Sequence, residues 1–256
     1  MMSRFSRTTA RRIIGTVSLL AGLGVWEVYA RTFGDPLFTP TVGSVVSALW
    51  SLIGDGDFWS SYATTLVPFL YGWSTALILG VAAGLAMGMS RAMAAIANPH
   101  LSFVNALPVS TLVPVVVIVF GIDIVARSTV VFLFAIVEVV MTTAAGVRFV
   151  DDELLEMGRA FGLNRRKRFT RIIVPGAAPG IAAAIRVGTG RAVVGMVVME
   201  LLLVSVGVGK LISRYKDRFD APRLYAVVVS LAIFALAVQA VMRALEQRAQ
   251  PWQNGT

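Results

Sequence analysis

The chain contains no cysteine and a single histidine, His100, among its 256 residues. Without cysteine it can form no disulfide and no thiolate metal site, and one histidine without a cluster of carboxylates does not make a metal centre. We therefore predict no bound metal and no cofactor. Charged residues are also scarce, at 14%, whereas 57% of the residues are hydrophobic, which excludes an ordinary soluble globular domain.

The formal net charge of +9 does not indicate a nucleic-acid partner. The basic residues flank apolar segments, where anionic membrane lipid and the orientation of membrane spans already account for them. No internal repeat is visible either, so the inverted-repeat signature of many secondary transporters is missing.

Long apolar stretches predict an all-α, polytopic membrane protein. About 20 helical residues cross a hydrocarbon core of roughly 30 Å. Six stretches are long enough, namely residues 13–30, 66–89, 101–120, 128–147, 177–204 and 224–245. Arg186, Arg191 and Glu200 interrupt the fifth stretch, so its limits stay open. The first stretch is too long for the core of a cleaved export signal and is predicted to be a retained span.

Loop charges predict that both termini are cytoplasmic. Basic residues cluster before the first span and again in residues 148–171, and an even number of spans places both clusters on the same side, the inside. Residues 31–62 then lie outside. One loop disagrees with this rule, because its basic residues would face outward: Lys210, Arg214, Lys216, Arg218 and Arg223.

An amphipathic, charged island lies between the fourth and fifth stretches, at residues 151–171. Gly162 is predicted to end its first helix, and Asn164 can cap a second helix that stops before Pro175. One face of the first helix can carry Leu154, Leu155, Met157 and Phe161. Such a helix pair can fit a partner's groove, although a basic loop that only fixes the topology is the alternative.

The island carries a resemblance to a known family. The pattern Glu156-Met157-Gly158, then Gly162, then Ile173-Val174-Pro175 resembles the "EAA" loop of ABC importer permeases. In this pattern Met157 and Gly158 stand in for the family's two alanines, and Val174 replaces the usual leucine. The resemblance extends over about residues 42–245, and it is to the nitrate, sulfonate, taurine and thiamine-precursor group.

The resemblance implies a fold, partners and a location. The fold would be that of a type I ABC importer permease in a bacterial cytoplasmic (inner) membrane. Its partners would be a separate ATP-binding subunit, an external substrate-binding protein and a second permease copy, and its substrate would be a small anionic organic solute. The implied organisation is a peripheral segment (1–61), a transmembrane core (62–245) and a cytoplasmic tail (246–256). The residues implied in coupling to the ATPase are Glu153, Glu156, Gly158, Gly162 and Pro175.

ATP hydrolysis is not expected from this chain itself. Gly209-Lys210 invites comparison with a phosphate-binding loop, but that motif needs a glycine where Val204 stands and a serine or threonine where Leu211 stands. We therefore predict a transport subunit that is not an enzyme.

Residues inside the spans suggest a translocation path. The family has prolines at the positions of Pro108 and Pro114, which we interpret as a bent helix beside the pore, with simple kinking as the alternative. Glu138 replaces a proline or apolar residue of the family; it either pairs with an arginine or contacts substrate. The other intramembrane charges are interpreted as structural pairs with neighbouring helices: Arg186, Arg191 and Glu200.

Two other functional classes remain as alternatives. A proton-coupled secondary transporter would use Glu138 and Glu200 as proton carriers, and a membrane scaffold would have no transport role.

For the basic loop that breaks the charge rule, we expect docking of the external binding protein at Arg214, Lys216 and Arg218. Attraction of an anionic substrate, or plain solvated charges, are the other interpretations.

Overall fold

The computed structural model of the protein describes residues 2–35, 37–202 and 206–249, and these contain helices and no strand. The α-helices are α1 (Met2–Thr32), α2 (Val42–Ile53), α3 (Gly56–Met89), α4 (Arg91–Ala106), α5 (Val113–Phe120), α6 (Ile124–Arg148), α7 (Asp152–Ala160), α8 (Arg165–Arg168), α9 (Val174–Leu202), α10 (Gly207–Asp217) and α11 (Ala221–Ala249). A 3₁₀ turn (Val109–Leu112) precedes α5, and a π-helical turn (Phe169–Ile173) joins α8 to α9. The predicted all-α class is confirmed.

Five membrane-crossing helices, and a bent helix pair that can form a sixth span, correspond to the six predicted stretches. Helices α1, α3, α6, α11 and the continuous run α8–α9 are each long and apolar enough to cross a membrane, and α4 with α5 can form a sixth, broken span. The fifth span begins earlier than predicted, at Arg165. Its predicted end at residue 204 and residues 250–256 of the predicted tail lie outside the described residues.

The third predicted span is broken as well as bent. Helices α4 and α5 meet at an angle of 85°. Leu107 has an extended backbone (ψ 134°), as expected for a residue before proline, and Pro108 is extended as well. The prediction that Pro114 kinks the helix is wrong, because Pro114 lies in the first turn of α5, where its missing N–H costs nothing.

Small residues bring α3, α6 and α9 into close contact. A Cβ built on Gly80, Gly84 or Gly88 would lie 2.7, 2.5 and 2.5 Å from the nearest atoms of α6, which are side-chain atoms of Val139, Thr143 and Val147. Any larger residue on this stripe would therefore push the two helices apart. Gly146 of α6 and Gly180 of α9 touch in the same way.

Helix α1 lies at the edge of this bundle. Only 6% of its most apolar segment is buried. Its C-terminal half is tied to the start of α2, because Trp26 Nε1 donates to the carbonyl oxygen of Pro40 and Val42 N donates to Glu27 Oε2. Helix α2 lies within the peripheral segment (1–61) and buries Val45 and Leu52.

Candidate functional site

Helices α7 and α8 form a sharply defined hairpin. Asp151 caps α7 by accepting a hydrogen bond from Glu153 N (3.0 Å), and Asn164 caps α8 by accepting one from Lys167 N (2.8 Å). Between them Gly162 adopts φ +69°, in the left-handed region that favours glycine, and its N–H donates to the carbonyl oxygen of Arg159. The predicted roles of Gly162 and Asn164 in ending one helix and starting the next are confirmed.

The second helix of the hairpin does not stop before Pro175, and that prediction is wrong. The chain continues from α8 through the π-helical turn into α9, and Val174 N donates to the carbonyl oxygen of Phe169. The wider turn lies immediately before Pro175, whose ring would clash with the preceding turn of a regular α-helix. As a result α8 and the membrane-crossing α9 are one continuous helical body.

One side of the hairpin is exposed, and the other side packs against the π-helical turn. Gly158 is buried, and a Cβ there would lie 2.6 Å from Cδ1 of Ile172 in the π-helical turn. Glu153 and Glu156 are exposed. So are three of the four apolar residues that were predicted to share a face, Leu154, Met157 and Phe161, at a spacing that places them on neighbouring turns.

A cationic cleft of about 1300 Å³ lies beside the hairpin. It is bounded by the start of α4, the end of α6, α7 and α8. Its arginines are Arg91, Arg148, Arg159, Arg165 and Arg168, and Asp152 also lines it. The fold thus brings basic residues from separate parts of the sequence together at one end of the helix bundle.

The middle of the bundle contains a partly exposed ion pair between α6 and α9. Arg191 Nη2 donates to Glu138 Oε1 over 2.7 Å, and the two side chains are 54% and 25% exposed. Glu138 lies near the centre of α6, and Arg191 lies well inside α9. Of the two interpretations of Glu138, the structure bears out pairing with an arginine. Arg186 is exposed on the same helix as Arg191.

A second ion pair between the same helices is buried. Arg127, near the start of α6, donates from Nη2 to Glu200 Oε1 (2.5 Å), and the side chains are 7% and 2% exposed. Arg127 Nη1 also donates to the carbonyl oxygen of Thr64 (3.0 Å). Arg191 and Glu200 thus each pair with α6 and not with each other, in agreement with their interpretation as structural pairs with neighbouring helices.

The buried pair also holds the start of α10. Glu200 Oε2 accepts from Gly209 N (2.7 Å), and Thr65 Oγ1 accepts from Val208 N (3.0 Å), so side chains of α9 and α3 cap a helix that has no capping side chain of its own. Gly207 has φ +65°, and a Cβ there would lie within 3 Å of Thr65, Arg127 and Glu200. Sequence reasoning missed this cluster; its signal was the Gly-Val-Gly run, which needs small residues for close approach.

The basic segment that breaks the charge rule is a helix, α10, and its charges differ in their surroundings. It buries Val208, Leu211, Ile212 and Tyr215. Arg214 Nη1 donates to Asp57 Oδ2 of α3 (2.7 Å), a hydrogen bond that raises the pKa of Arg214. Lys216 lies 3.9 Å from Asp217, and both of these side chains are largely exposed, as is Arg218.

The remaining predicted residues of the path lie on the broken span. Pro108 marks the break itself, and Pro114 begins α5. Helix α5 packs through Val113 and Val116 against Val130 of α6 and Met199 of α9. The broken span is therefore anchored to the same two helices that carry both ion pairs.

Comparison with known proteins agrees with this architecture. Residues 76–251 match the family described as "Binding-protein-dependent transport system inner membrane component". The chain is 27% identical to the taurine transport system permease protein TauC of Escherichia coli K12, covering 94% of this chain and 89% of that protein. It is 30% identical to the putative aliphatic sulfonates transport permease protein SsuC of Escherichia coli K12, covering 84% and 81%.

Solved structures show the same fold at low sequence identity. An amino acid ABC transporter matches with a TM-score of 0.59 and 16% identity, covering 75% of this chain and 93% of that one. The inward-facing MetNI methionine ABC transporter matches with a TM-score of 0.55 and 18% identity, covering 82% and 97%. The predicted type I ABC importer permease fold is thereby confirmed.

Family and fold together decide between the functional classes. They do not favour a proton-coupled transporter or a scaffold, and they imply an ATPase and a substrate-binding protein as partners. The chain belongs to the family of binding-protein-dependent transport system inner membrane components and is a multi-pass permease subunit of an ABC importer.

Proposed function

We propose that this permease imports a small organic anion, and that α7 and α8 transmit the motion of separate ATPase subunits to α9. The observation that carries the proposal is the continuity of α8 with α9 through the π-helical turn. A force applied to the hairpin therefore acts directly on a helix that runs through the core. The relatives named for taurine and for aliphatic sulfonates support an anionic substrate.

The hairpin of α7 and α8 can transmit motion because one of its sides packs against the π-helical turn and the other is exposed to a partner. The Gly158–Ile172 contact seats α7 on the π-helical turn. The exposed face with Glu153, Glu156 and Met157 remains available to a groove of the ATPase. Binding and hydrolysis of ATP would then bias the spans between two arrangements without any chemistry in the permease itself.

The assembly would contain two permease copies with both termini in the cytoplasm. The cationic cleft beside the hairpin supports this orientation, because basic residues concentrate on the cytoplasmic side. Helix α10 then faces outward. In intact cells, an impermeant thiol reagent should label a cysteine introduced as Lys216→Cys and should not label Arg166→Cys. Because the natural chain has no cysteine, it provides the unlabelled control, and the reverse pattern would invert the map.

Coupling can be tested at Gly162 with two substitutions that differ in backbone preference. Proline fixes φ near −65° and has no N–H to donate to Arg159, whereas asparagine tolerates the left-handed region that this turn requires. In the reconstituted complex, Gly162→Pro should abolish the stimulation of ATP hydrolysis by the loaded binding protein. Gly162→Asn should retain most of it.

The same assay tests the exposed face of the hairpin. Glu156→Lys reverses a charge without touching a packed contact, so it should uncouple hydrolysis while membrane insertion stays normal. Normal transport in both Gly162→Pro and Glu156→Lys would remove the hairpin from the mechanism.

A further inference from the structure

The pair Arg191–Glu138 is unusual in its lack of partners. Within the described residues, the one hydrogen bond of either side chain is the one that joins them. A guanidinium carries five N–H donors and a carboxylate can accept several hydrogen bonds, so most of the capacity of both groups is unused. Both lie on membrane-crossing helices, away from the helix ends.

Contact with lipid would destabilise such a pair of charged side chains. A charged side chain at the centre of a span costs about 2.5–3.5 kcal/mol on insertion scales, and such residues face a bundle interior or a water-filled cavity. More than half of the Arg191 side chain is exposed in the single chain. The face formed by α6 and α9 around this pair must therefore meet water or protein.

The surroundings of the pair leave room for a ligand with an apolar part. A Cβ placed on Gly190, next to Arg191, would meet nothing within 4 Å. Val187 and Val194 are exposed one turn before and one turn after Arg191, and Met141 is exposed one turn after Glu138. Arg191 thus lies between apolar side chains, beside an open space.

We propose that Arg191 binds the oxyanion group of a small organic anion during translocation, and that Glu138 is a resident counter-ion which the substrate displaces. The inference rests on the proposed function, because it needs this face to line the path between two permease copies. The ligand class is a sulfonate or carboxylate with a short apolar body.

The chemistry of the pair fits this exchange. Guanidinium binds carboxylate-like oxyanions through paired N–H groups, and its charge cannot be removed by deprotonation. When no substrate is present, the Glu138 carboxylate occupies the position of the anion, so Arg191 is never left unpaired within the membrane. When substrate arrives, its oxyanion replaces the carboxylate as the partner of Arg191, and the displaced Glu138, which is already partly exposed, turns its charge to water in the path.

The test measures binding of anionic probes to the purified permease. The probes are trifluoroethanesulfonate and trifluoropropionate, followed by fluorine NMR, with trifluoropropionamide as the neutral probe. Glu138→Gln removes the competing charge and should tighten binding of both anions by about tenfold or more, the effect of one charge-assisted hydrogen bond. Arg191→Gln should abolish binding of the anions and leave the neutral probe unaffected.

Two further variants separate binding from folding. The double variant Glu138→Gln/Arg191→Gln leaves no unpaired charge, so it should fold and yet bind neither anion. Arg186→Gln removes a positive charge from the same helix and should preserve the gain caused by Glu138→Gln. A purely structural pair predicts that Glu138→Gln leaves probe binding unchanged or weakens it, and either result overturns the proposal. So does retained anion binding in Arg191→Gln, or no anion binding by either the natural chain or Glu138→Gln.

Because this assay needs no ATPase, its failure differs from a failure of coupling. Tighter probe binding in Glu138→Gln, together with full coupling in Gly162→Pro, would contradict the coupling role of the hairpin and support the anion site. Unchanged probe binding in Glu138→Gln, together with lost coupling in Gly162→Pro, would contradict only the anion site.

Discussion

Helices α6 and α9 are joined by two arginine–glutamate pairs of the same chemistry in different surroundings. Arg127–Glu200 is buried, and its groups also bond to the carbonyl oxygen of Thr64 and to Gly209 N. Arg191–Glu138 is partly exposed and has a single hydrogen bond. One pair thus connects four helices, α3, α6, α9 and α10, whereas the other connects two.

The difference shows how charges in a membrane protein divide between structure and transport. A desolvated charge must have its hydrogen bonds satisfied, because an unpaired one is strongly destabilising. That requirement fixes Arg127 and Glu200 in place and makes them unsuitable for exchange with a ligand. A pair with unused donors on an accessible face can change partners, and Arg191–Glu138 meets that condition.

The largest expected effect comes from breaking the buried pair. Arg127→Gln would leave the Glu200 carboxylate without its charged partner and should lower the free energy of unfolding by about 3–5 kcal/mol. Arg191→Gln is the matched control, because it removes the same side chain from the exposed pair and should cost about 1 kcal/mol or less. Thermal unfolding of the purified permease variants in one detergent measures both.

Equal losses of stability would contradict the contrast between the two pairs. A Glu200→Gln variant refines the measurement, since its amide oxygen can still accept from Gly209 N while its charge is gone. It should be destabilised because Arg127 is then buried without an anion. If Glu200→Gln were as stable as the natural chain, the capping of α10 and not the ion pair would hold this end together.

The sequence predicts part of this arrangement for a clear reason. A charged residue in an apolar span must find a partner, so pairing of Arg191 and Glu200 with other helices could be expected from their positions alone. Their partners could not, because Glu200 pairs with a residue 73 positions away. That choice depends on the rotation of α6 against α9, which the glycine contacts set.

Two glycines and a proline show which local signals suffice to predict a helix end. Gly162 was predicted to end α7, because a helix terminus commonly needs a left-handed residue there, and its φ of +69° agrees. Pro175 was predicted to end the next helix, but a π-helical turn accommodates it. Gly207 is also a glycine with a positive φ, like Gly162. A side chain at Gly207 would in addition meet Thr65, Arg127 and Glu200, which lie on three other helices, so this requirement for glycine is visible only in the folded chain.

The smallest effect is expected from the charges on α10, the helix that the buried pair holds. Lys216 and Arg218 are exposed, whereas Arg214 is already engaged by Asp57. We therefore expect Lys216→Gln/Arg218→Gln to slow association with the external binding protein without changing the stability of the permease. Exposed charges act over a Debye length of about 8 Å at physiological salt and mainly raise association rates. The loss should be greatest at low salt and fade as salt is added.

Arg214→Gln provides the matched control for this last experiment, because it removes one positive charge from the same helix at a less exposed position, where Asp57 holds the side chain against α3. Its effect on the association rate should be smaller than that of either Lys216→Gln or Arg218→Gln alone. Rates measured by surface plasmon resonance over a salt series separate the two cases. A double variant that associates as fast as the natural chain at low salt would leave Lys216 and Arg218 as solvated charges. A larger loss from Arg214→Gln would instead indicate that docking depends on the contact between α10 and α3.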